Sequence, residues 1–473
     1  MHTPQVGLIT FGDARSHEWE RVFGPLTTPR HAQALEFLGT LPIQLYANPQ
    51  VARHKDEIDS QADDLKRAGV EVIIAHTPCW TSPNLVVRGV QRLGLPTILL
   101  SNKSPATHGL VGFLGAAGAL DQIGYRFWRV REDFENSEAL ASQLLPILRA
   151  ASAAVQLRGR VFGLFGGRSL GIDTGTFDPM QWRALFGVDV ERIDQLEIIR
   201  LAENIPAEQA QRMIAWLQDG AARLDLGKGG LTIDKLEFQA RCYLATRQLI
   251  TEKGLDFVAV QCMPDLTDHF VPQCLTAAFL PGPFDHDGEK QPVAMACEAD
   301  GDGALTMEIL RLVSGGRPPL FGDLSYLDEK RRLLYMPNCG ALCGWYAARS
   351  DDPSENLRHI ELRPAIRPSG GAIAYFTAAP GPLTLARLFR KAGRYWLAIL
   401  PGQSVDLPPA DLQKFIEARG AHQLPTAFVQ LSVDPERLIQ SFASNHIAGV
   451  AGDFRDDLLR LCEILDLEPL LLE

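Results

Sequence analysis

Short apolar runs rich in β-branched residues alternate with helical segments over the first third of the chain. The apolar runs occupy residues 5–11, 42–46, 70–77 and 96–101, and residues 56–69 between two of them have apolar residues at helical spacing. Strands that alternate with helices form a parallel sheet with helices on both faces. The pattern predicts a Rossmann-like α/β domain over residues 1–158.

The same alternation begins again with a predicted strand at 160–167. Helices are predicted over 207–221 and 232–254, and further strands over 256–263 and 292–297. We therefore predict a second α/β domain with a parallel sheet over residues 159–325.

The pattern changes after about residue 325 to apolar runs of strand length separated by turns rich in glycine and proline. A mainly β, barrel-like C-terminal domain is predicted over residues 326–473, with helices near its end. The predicted fold class is α/β, with two Rossmann-like parallel-sheet domains followed by this β domain.

Composition narrows the function classes. The 473 residues are 46% hydrophobic, so the chain is globular, and its formal net charge of −11 argues against nucleic acid and anionic membrane as partners. No signal peptide and no apolar run of about 18 residues is visible, which favours a cytoplasmic protein with a small-molecule partner. The eight cysteines lack paired CxxC spacing, and we expect reduced, buried thiols.

Three separated polar residues stand beside predicted strands: Glu298, Asp323 and His446. Two carboxylates and a neutral imidazole suit a divalent cation of the Mn²⁺ or Mg²⁺ type and leave positions open for substrate oxygens. If Glu298 and Asp323 follow neighbouring parallel strands, both lie at one edge of a sheet. The alternatives are a helix cap for Glu298, a turn carboxylate for Asp323 and an ordinary loop histidine for His446.

A glycine-rich loop follows the strand predicted at 160–167. The run FGGRSLGIDTG (165–175) fits neither GxGxxG nor a Walker loop, so a cleft-lining or hinge role is favoured over nucleotide binding. Arg168 in this loop is a candidate partner for a charged sugar substituent. A surface salt bridge is its alternative role.

The middle of the chain resembles the L-fucose isomerase and L-arabinose isomerase family of metal-dependent aldose–ketose isomerases. The resemblance is carried by residues 167–194, by VAVQCMPDL (258–266), and by ACEADGDGALTMEIL (296–310) with FGDL (321–324). It implies that Glu298 and Asp323 hold the metal and exchange protons with the substrate, and that His446 completes the site. The implied cofactor is Mn²⁺, with Mg²⁺ or Co²⁺ as alternatives, and the implied reaction proceeds through a cis-enediol.

The resemblance also implies a substrate site. Gln261, Arg15, Trp80 and Asn445 are its implied substrate-binding residues, although Gln261 also suits backbone groups at a strand end. Such enzymes are homo-oligomers, here a trimer or hexamer, with active sites between subunits. Arg15 and Trp80 then serve their own or a neighbouring site.

Several substrates and two other function classes stay open at this point. The candidate sugars are L-fucose, arabinose and a C6-modified hexose such as sulfoquinovose, whose sulfonate a guanidinium would bind well. The alternatives are a metal-dependent sugar epimerase or lyase, and a non-catalytic sugar-binding or regulatory protein.

Overall fold

The chain forms two compact units. The computed structural model describes residues 2–340, 342–420 and 423–473. Unit 1 comprises Met1–Val155 with Asp456–Ile464, and unit 2 comprises Gln156–Arg455 with Leu465–Glu473.

A five-stranded parallel sheet lies at the centre of unit 1. Its strands are β1 (Gln5–Thr10), β2 (Gln44–Ala47), β3 (Val72–His76), β4 (Thr97–Ser101) and β5 (Phe127–Arg131), and its helices are α1 (Ser16–Glu18), α2 (Gly24–Gly39), α3 (Lys55–Arg67), α4 (Pro83–Leu93), α5 (Gly109–Gln122) and α6 (Ser137–Leu157). In the strand order β2-β1-β3-β4-β5, the chain adds β2 on one side of β1 and then β3, β4 and β5 on the other side. The topological switch point of the sheet therefore lies between β1 and β3. In doubly wound sheets the carboxyl ends at such a switch point are the usual ligand site.

Helices cover both faces of this sheet. Apolar side chains of α3, α4 and α5 form the core on one face, and those of α2 and α6 form the core on the other. The segment Phe134–Leu157 is long and apolar enough to cross a membrane, but 61% of its apolar window is buried inside the protein. Leu140, Leu144 and Leu148 of this segment are fully buried, so it is the core helix of unit 1.

Unit 2 contains a second parallel sheet and a large antiparallel sheet. Its strands are β6 (Val161–Phe165), β7 (Asp189–Ile193), β8 (Arg223–Leu224), β9 (Phe257–Val260), β10 (Phe284–Asp285), β11 (Gly288–Glu289), β12 (Met295–Ala296), β13 (Pro319–Asp323), β14 (Tyr326–Asp328), β15 (Leu333–Pro337), β16 (Glu361–Pro364), β17 (Ala372–Tyr375), β18 (Gly381–Lys391), β19 (Arg394–Ser404), β20 (Thr426–Leu431), β21 (His446–Ala451) and β22 (Glu468–Leu471). The helices of unit 2 are α7 (Pro179–Leu185), α8 (Leu196–Ala202), α9 (Ala207–Gly220), α10 (Ile233–Lys253), α11 (Asp265–His269), α12 (Cys274–Phe279), α13 (Gly301–Val313), α14 (Pro353–Leu357), α15 (Pro409–Arg419) and α16 (Pro435–Ser441). The last helix, α17 (Arg455–Leu465), belongs to unit 1 except for its two end residues.

The parallel sheet has the order β12-β9-β6-β7. The curled antiparallel sheet has the order β13-β21-β18-β19-β20-β15-β14, and β22 pairs in parallel with β19. Helix α13 packs against β9 and β12 of the first sheet and against β13, β18 and β21 of the second. It therefore joins the two sheets at the place where the candidate metal ligands lie.

The predicted fold class is confirmed, with two parallel sheets followed by a curled, mainly antiparallel sheet. Two local predictions were wrong. His446 was predicted to be carried by the late helices, but it is the first residue of strand β21 (446–451). Strand β13 pairs antiparallel with β21 and does not lie beside β12 in a parallel sheet. Because β13 joins strands from the C-terminal third, the division near residue 325 stays a prediction.

Candidate active site and metal centre

His446 lies at the centre of a cluster of carboxylates in unit 2. Its Nε2 is 3.0 Å from Glu298 Oε2 and 3.3 Å from Asp323 Oδ1, and its Nδ1 is 2.7 Å from Asp300 Oδ2. The imidazole is 1% exposed, whereas the Asp323 side chain is 33% exposed. The structure thus brings the three predicted metal ligands together, with one side reachable by a ligand.

Glu298 is held in an unusual backbone conformation. It follows β12 in a tight turn closed by the Asp300 N–H, which donates to the Cys297 carbonyl at 3.2 Å. Glu298 and Ala299 have φ values of +57° and +54°, in the left-handed region that non-glycine residues rarely adopt. Such strain concentrates at functional sites. The helix-cap role for Glu298 is excluded, because Asp300 caps α13 by accepting from Gly303 N.

Strand pairing brings Asp323 and His446 together. Asp323 is the last residue of β13 and His446 is the first of β21, and the two are direct partners in the antiparallel register. Since opposed residues in such a pair project to the same face, both side chains meet on one side of the sheet. His446 is therefore a strand residue and not a loop histidine.

Asp300 and Arg387 hold the His446 imidazole in place through its Nδ1 atom. Asp300 Oδ2 accepts from His446 Nδ1 and from Arg387 Nη1 at 2.6 Å, and both Asp300 and Arg387 are 0% exposed. Arg387 Nη2 also donates to the Thr174 carbonyl at 2.7 Å. A carboxylate on Nδ1 fixes the ring orientation and directs Nε2 toward Glu298 and Asp323.

The electrostatics of the cluster depend on a balance between burial and charge. Burial alone would lower the pKa of His446, but hydrogen bonds to Asp300, Asp323 and Glu298 outweigh it and raise this pKa to about 11. Burial likewise opposes ionisation of Asp300, but Arg387 and His446 hold its pKa low, at about 2. Without another cation, an imidazolium is therefore the positive charge that holds these carboxylates together.

Two distances in this cluster match those between neighbouring ligands of one divalent metal ion. An octahedral ion with ligands at about 2.1 Å has neighbouring ligand atoms about 3 Å apart, which matches the separations of Nε2 from the two carboxylate oxygens. Carboxylates with an imidazole are ligands that Mn²⁺ and Mg²⁺ accept. Glu298, Asp323 and His446 would hold the ion.

A second group of possible ligands, Asp285, His286 and Asp287, lies elsewhere in unit 2. Arg247 Nη1 donates to Asp285 at 2.9 Å and to Asp287 at 3.0 Å. Tyr243 donates to the same Asp285 oxygen. Because these donors already compensate the carboxylates, the cluster around His446 is the better candidate.

The loop after β6 connects Gln261 with the residues beside His446. Gln261 Oε1 accepts from Gly167 N at 2.6 Å, and its Nε2 donates to Asp265 at 3.0 Å. At the other end of the loop, Thr174 donates to Asn445 Oδ1 at 3.0 Å. Ala299 N donates to the Val260 carbonyl, so Gln261 and Glu298 follow neighbouring strand ends. The backbone contact of Gln261 exists, and its substrate role stays a prediction.

Arg168 lies on this loop in an exposed ion pair. Its Nη1 is 2.5 Å from Asp173, and the two side chains are 54% and 77% exposed. The salt bridge offered as its alternative role is therefore present. Exposed pairs contribute only about 0–1 kcal/mol, so Arg168 is free to exchange its partner for a ligand.

Arg15 and Trp80 both belong to unit 1. Arg15 follows β1 and pairs with Asp13 at 2.6 Å and with Glu18 at 3.3 Å. Trp80 is half-buried in the loop that follows β3. Both loops lie at the carboxyl ends of the strands where the sheet order reverses, a position typical of ligand-binding loops. Their substrate contacts stay predictions.

The residues that hold His446 in place were not identified from the sequence. Asp300, Arg387 and Thr174 were not predicted to contribute to the site. A signal for Arg387 was present, because a single charged residue interrupts the apolar run PLTLARLF (382–389). A buried charge in a strand requires a partner, and here that partner is Asp300.

Comparison with known proteins identifies the family of the chain. Residues 3–159 match the first N-terminal domain of L-fucose isomerase, and residues 336–471 match its C-terminal domain. A sulfoquinovose isomerase of Clostridium sp. (strain MSTE9) is 26% identical, covering 80% of each chain, and one of Alkalicoccus urumqiensis is 23% identical, covering 78% of each. An L-fucose isomerase of Haemophilus influenzae (strain PittEE) is 21% identical over 85% of this chain and 80% of its own.

The two domain matches together span more than half of the chain, and His446 lies inside the second of them. The relatives align with 78%, 80% and 85% of the chain. The protein therefore belongs to the L-fucose isomerase family and is an aldose–ketose isomerase.

Proposed function

We propose that this isomerase converts sulfoquinovose, a glucose with a sulfonate at C6, into the corresponding 2-ketose with Mn²⁺ as its metal. The observation that carries the proposal is the convergence of Glu298, Asp323 and His446, with spacing that fits one divalent ion. Family membership supports the reaction class, and the names of the two relatives described above support the substrate.

The reaction moves a proton between C1 and C2 through a cis-enediol. A bound divalent ion supplies Lewis acidity that stabilises the negative charge developing on the two substrate oxygens. Glu298 and Asp323 are the carboxylates that remove the carbon-bound proton and return it to the neighbouring carbon. Asp300 keeps His446 oriented throughout, and Arg387 keeps Asp300 ionised.

Arg168 is the candidate contact for the sulfonate. Its loop is fastened at one end to Gln261 and at the other to Asn445, the residue before His446. The Arg168 guanidinium would exchange Asp173 for the substrate anion and form paired N–H to oxygen hydrogen bonds. Gln261 and Asn445 are the proposed polar contacts to the sugar hydroxyls.

We place the enzyme in the cytoplasm as a homo-oligomer, a trimer or hexamer with the active site at a subunit interface. In this assembly Arg15 and Trp80 complete an active site, their own or a neighbour's. The support is their place at the carboxyl ends of β1 and β3. Trp80 is suited to packing on a sugar face because of its large apolar ring.

The test is aldose-to-ketose conversion by the purified protein with sulfoquinovose, L-fucose and D-arabinose, with Mn²⁺ and with EDTA. We expect turnover of sulfoquinovose that EDTA abolishes and that E298Q loses by about 10²-fold or more. Turnover of L-fucose or D-arabinose without sulfoquinovose would retain the reaction and overturn the substrate. Binding of the sugar without turnover, unchanged by EDTA, would favour the non-catalytic alternative.

The sulfonate contact is tested with a matched pair of variants. R168Q removes the guanidinium on the candidate loop, and R183Q removes one from a similarly exposed ion pair with Asp189 in the same unit. We expect R168Q to raise KM for sulfoquinovose about tenfold or more while R183Q leaves it unchanged. Equal effects of both variants would remove Arg168 from the site.

A further inference from the structure

A group of neighbouring thiols includes Cys297, the residue that precedes Glu298. Cys297 Sγ and Cys339 Sγ are 3.6 Å apart, and Cys274 Sγ donates to the Cys339 carbonyl at 3.4 Å. Together with Cys262 these residues line one small, apolar cavity of unit 2. No part of the proposed isomerase mechanism uses these thiols.

We propose that Cys297 and Cys339 form a disulfide under peroxide and that this disulfide switches the metal site off. The proposal goes beyond the proposed function, because the cross-link forms without any sugar. Three observations carry it: the distance between the two sulfur atoms, the exposure of Cys339, and the covalent connection of Cys297 to Glu298.

Only a short movement is needed to bring the Cys297 and Cys339 sulfur atoms to bonding distance. A disulfide has its sulfur atoms about 2.05 Å apart, so the pair must close by about 1.5 Å. Cys339 lies in the loop after β15, next to Gly340, whose φ of +105° glycine adopts readily. Movement of this loop is one route to closure, and movement of the strained turn at Cys297 is the other.

The solvent exposure of the two cysteines determines which of them peroxide oxidises first. Cys339 is half-buried, whereas Cys297 is 9% exposed, so peroxide meets Cys339 first. The Cys339 sulfur attacks one peroxide oxygen, the O–O bond breaks, and a sulfenic acid and water form. The Cys297 sulfur then attacks the Cys339 sulfur and displaces its hydroxyl group, which leaves as water with the Cys297 proton. Overall, two thiols and hydrogen peroxide give one disulfide and two waters.

The consequence for the metal site follows from the backbone. Glu298 is bonded to Cys297 and lies with Ala299 in a left-handed turn, so a displacement of Cys297 also moves the Glu298 backbone. A bond between Cys297 and Cys339 shifts this turn and moves the Glu298 carboxylate relative to His446 Nε2. We expect metal affinity to fall at least tenfold on oxidation and to return with dithiothreitol.

The experiment treats the full-length protein with graded hydrogen peroxide and analyses it by mass spectrometry and by Mn²⁺ titration. Trypsin places Cys297 in peptide 291–311 and Cys339 in peptide 333–349. We expect these two peptides to become cross-linked as Mn²⁺ affinity falls. Because peptide 333–349 also contains Cys343, the matched control is C343S, which keeps the cross-link, whereas C339S and C297S lose it.

Two outcomes overturn the proposal. A cross-link from Cys339 to Cys274, or oxidation of Cys339 without any cross-link, removes the assigned pair. A Cys297–Cys339 cross-link that leaves Mn²⁺ affinity unchanged removes the switch. Neither readout depends on sulfoquinovose turnover, so failure of this inference is distinguishable from failure of the proposed function.

Discussion

Arg387 and Asp300 form an ion pair that is completely shielded from solvent, with 2.6 Å between Nη1 and Oδ2. Arg387 comes from the middle of β18, and Asp300 caps the first turn of α13. The pair therefore fastens the antiparallel sheet to the helix that follows Glu298. His446 Nδ1 hydrogen-bonds to the same Asp300 oxygen. The stability of the fold and the orientation of a candidate metal ligand therefore both depend on one carboxylate.

We predict that D300N weakens metal binding. Asp300 accepts from His446, Arg387 and Gly303, and an amide converts one of its acceptor oxygens into a donor. Loss of a supporting carboxylate of this kind typically lowers metal affinity about 10–100-fold. The measurement is Mn²⁺ titration by calorimetry, with D302N as the control. Equal affinities for D300N and wild type would show that His446 is oriented by other contacts.

Removal of the buried cation should destabilise the protein strongly. R387M leaves Asp300 buried, with its main positive partner gone and His446 as the remaining one, and breaking a buried pair costs about 3–5 kcal/mol. The check is the midpoint of denaturant unfolding. R390M is the matched control, because Arg390 is partly exposed and 3.6 Å from Asp302, so its loss should cost far less. Similar midpoint shifts for both variants would contradict this account.

Two glycine substitutions in helices should act in opposite directions. A Cβ on Gly303 would lie 2.6 Å from Phe321 and 2.8 Å from both Arg387 Nη1 and Asp300 Cγ, whereas a Cβ on Gly118 meets nothing within 4 Å. G118A should stabilise by about 0.5–1 kcal/mol through helix propensity. G303A should destabilise by about 1–3 kcal/mol and weaken Mn²⁺ binding. Thermal midpoints and metal titration of the two variants test this contrast.

The buried Asp302 should make stability depend on pH. Burial raises its pKa to about 7, although Arg387, the Tyr395 hydroxyl and Arg390 act in the opposite direction. The folded state therefore holds a proton that the unfolded state releases near pH 4, and the stability this proton contributes is lost as pH rises from about 4 to about 7. We expect D302N to gain stability relative to wild type as pH rises from about 4 to about 7. A constant difference between the two proteins across this range would count against a raised pKa.

The regular part of the fold was predictable because its patterns are local. The strands at Gln5–Thr10 and Val72–His76 and the helix Ile233–Lys253 lie within two residues of their predicted positions. Each is a contiguous apolar or periodic segment with turn residues beside it. Strand β21 was missed because the run HIAGVA begins with a buried histidine and contains a glycine, so it lacks a typical strand pattern.

The candidate ligands were predictable by residue type, but their arrangement was not. Asp323 and His446 meet through an antiparallel pairing over a separation that no local pattern encodes. Arg387 was missed because its role depends on a partner in another element, Asp300, which the run PLTLARLF does not indicate. Long-range pairing and charge compensation are tertiary properties, and they determine most of the geometry around His446.

Glu298 and His446 are 148 positions apart in the sequence. This separation determines when the candidate metal site can form during folding. Contacts between such distant residues form late in folding, because a long loop must be closed before they are gained. During synthesis Glu298 and Asp323 leave the ribosome well before His446 and cannot chelate with it. The candidate site is therefore complete only after strand β21 has paired with β13. A cation held by all three side chains would thus be bound by the folded chain and not by the nascent segment that carries the two carboxylates.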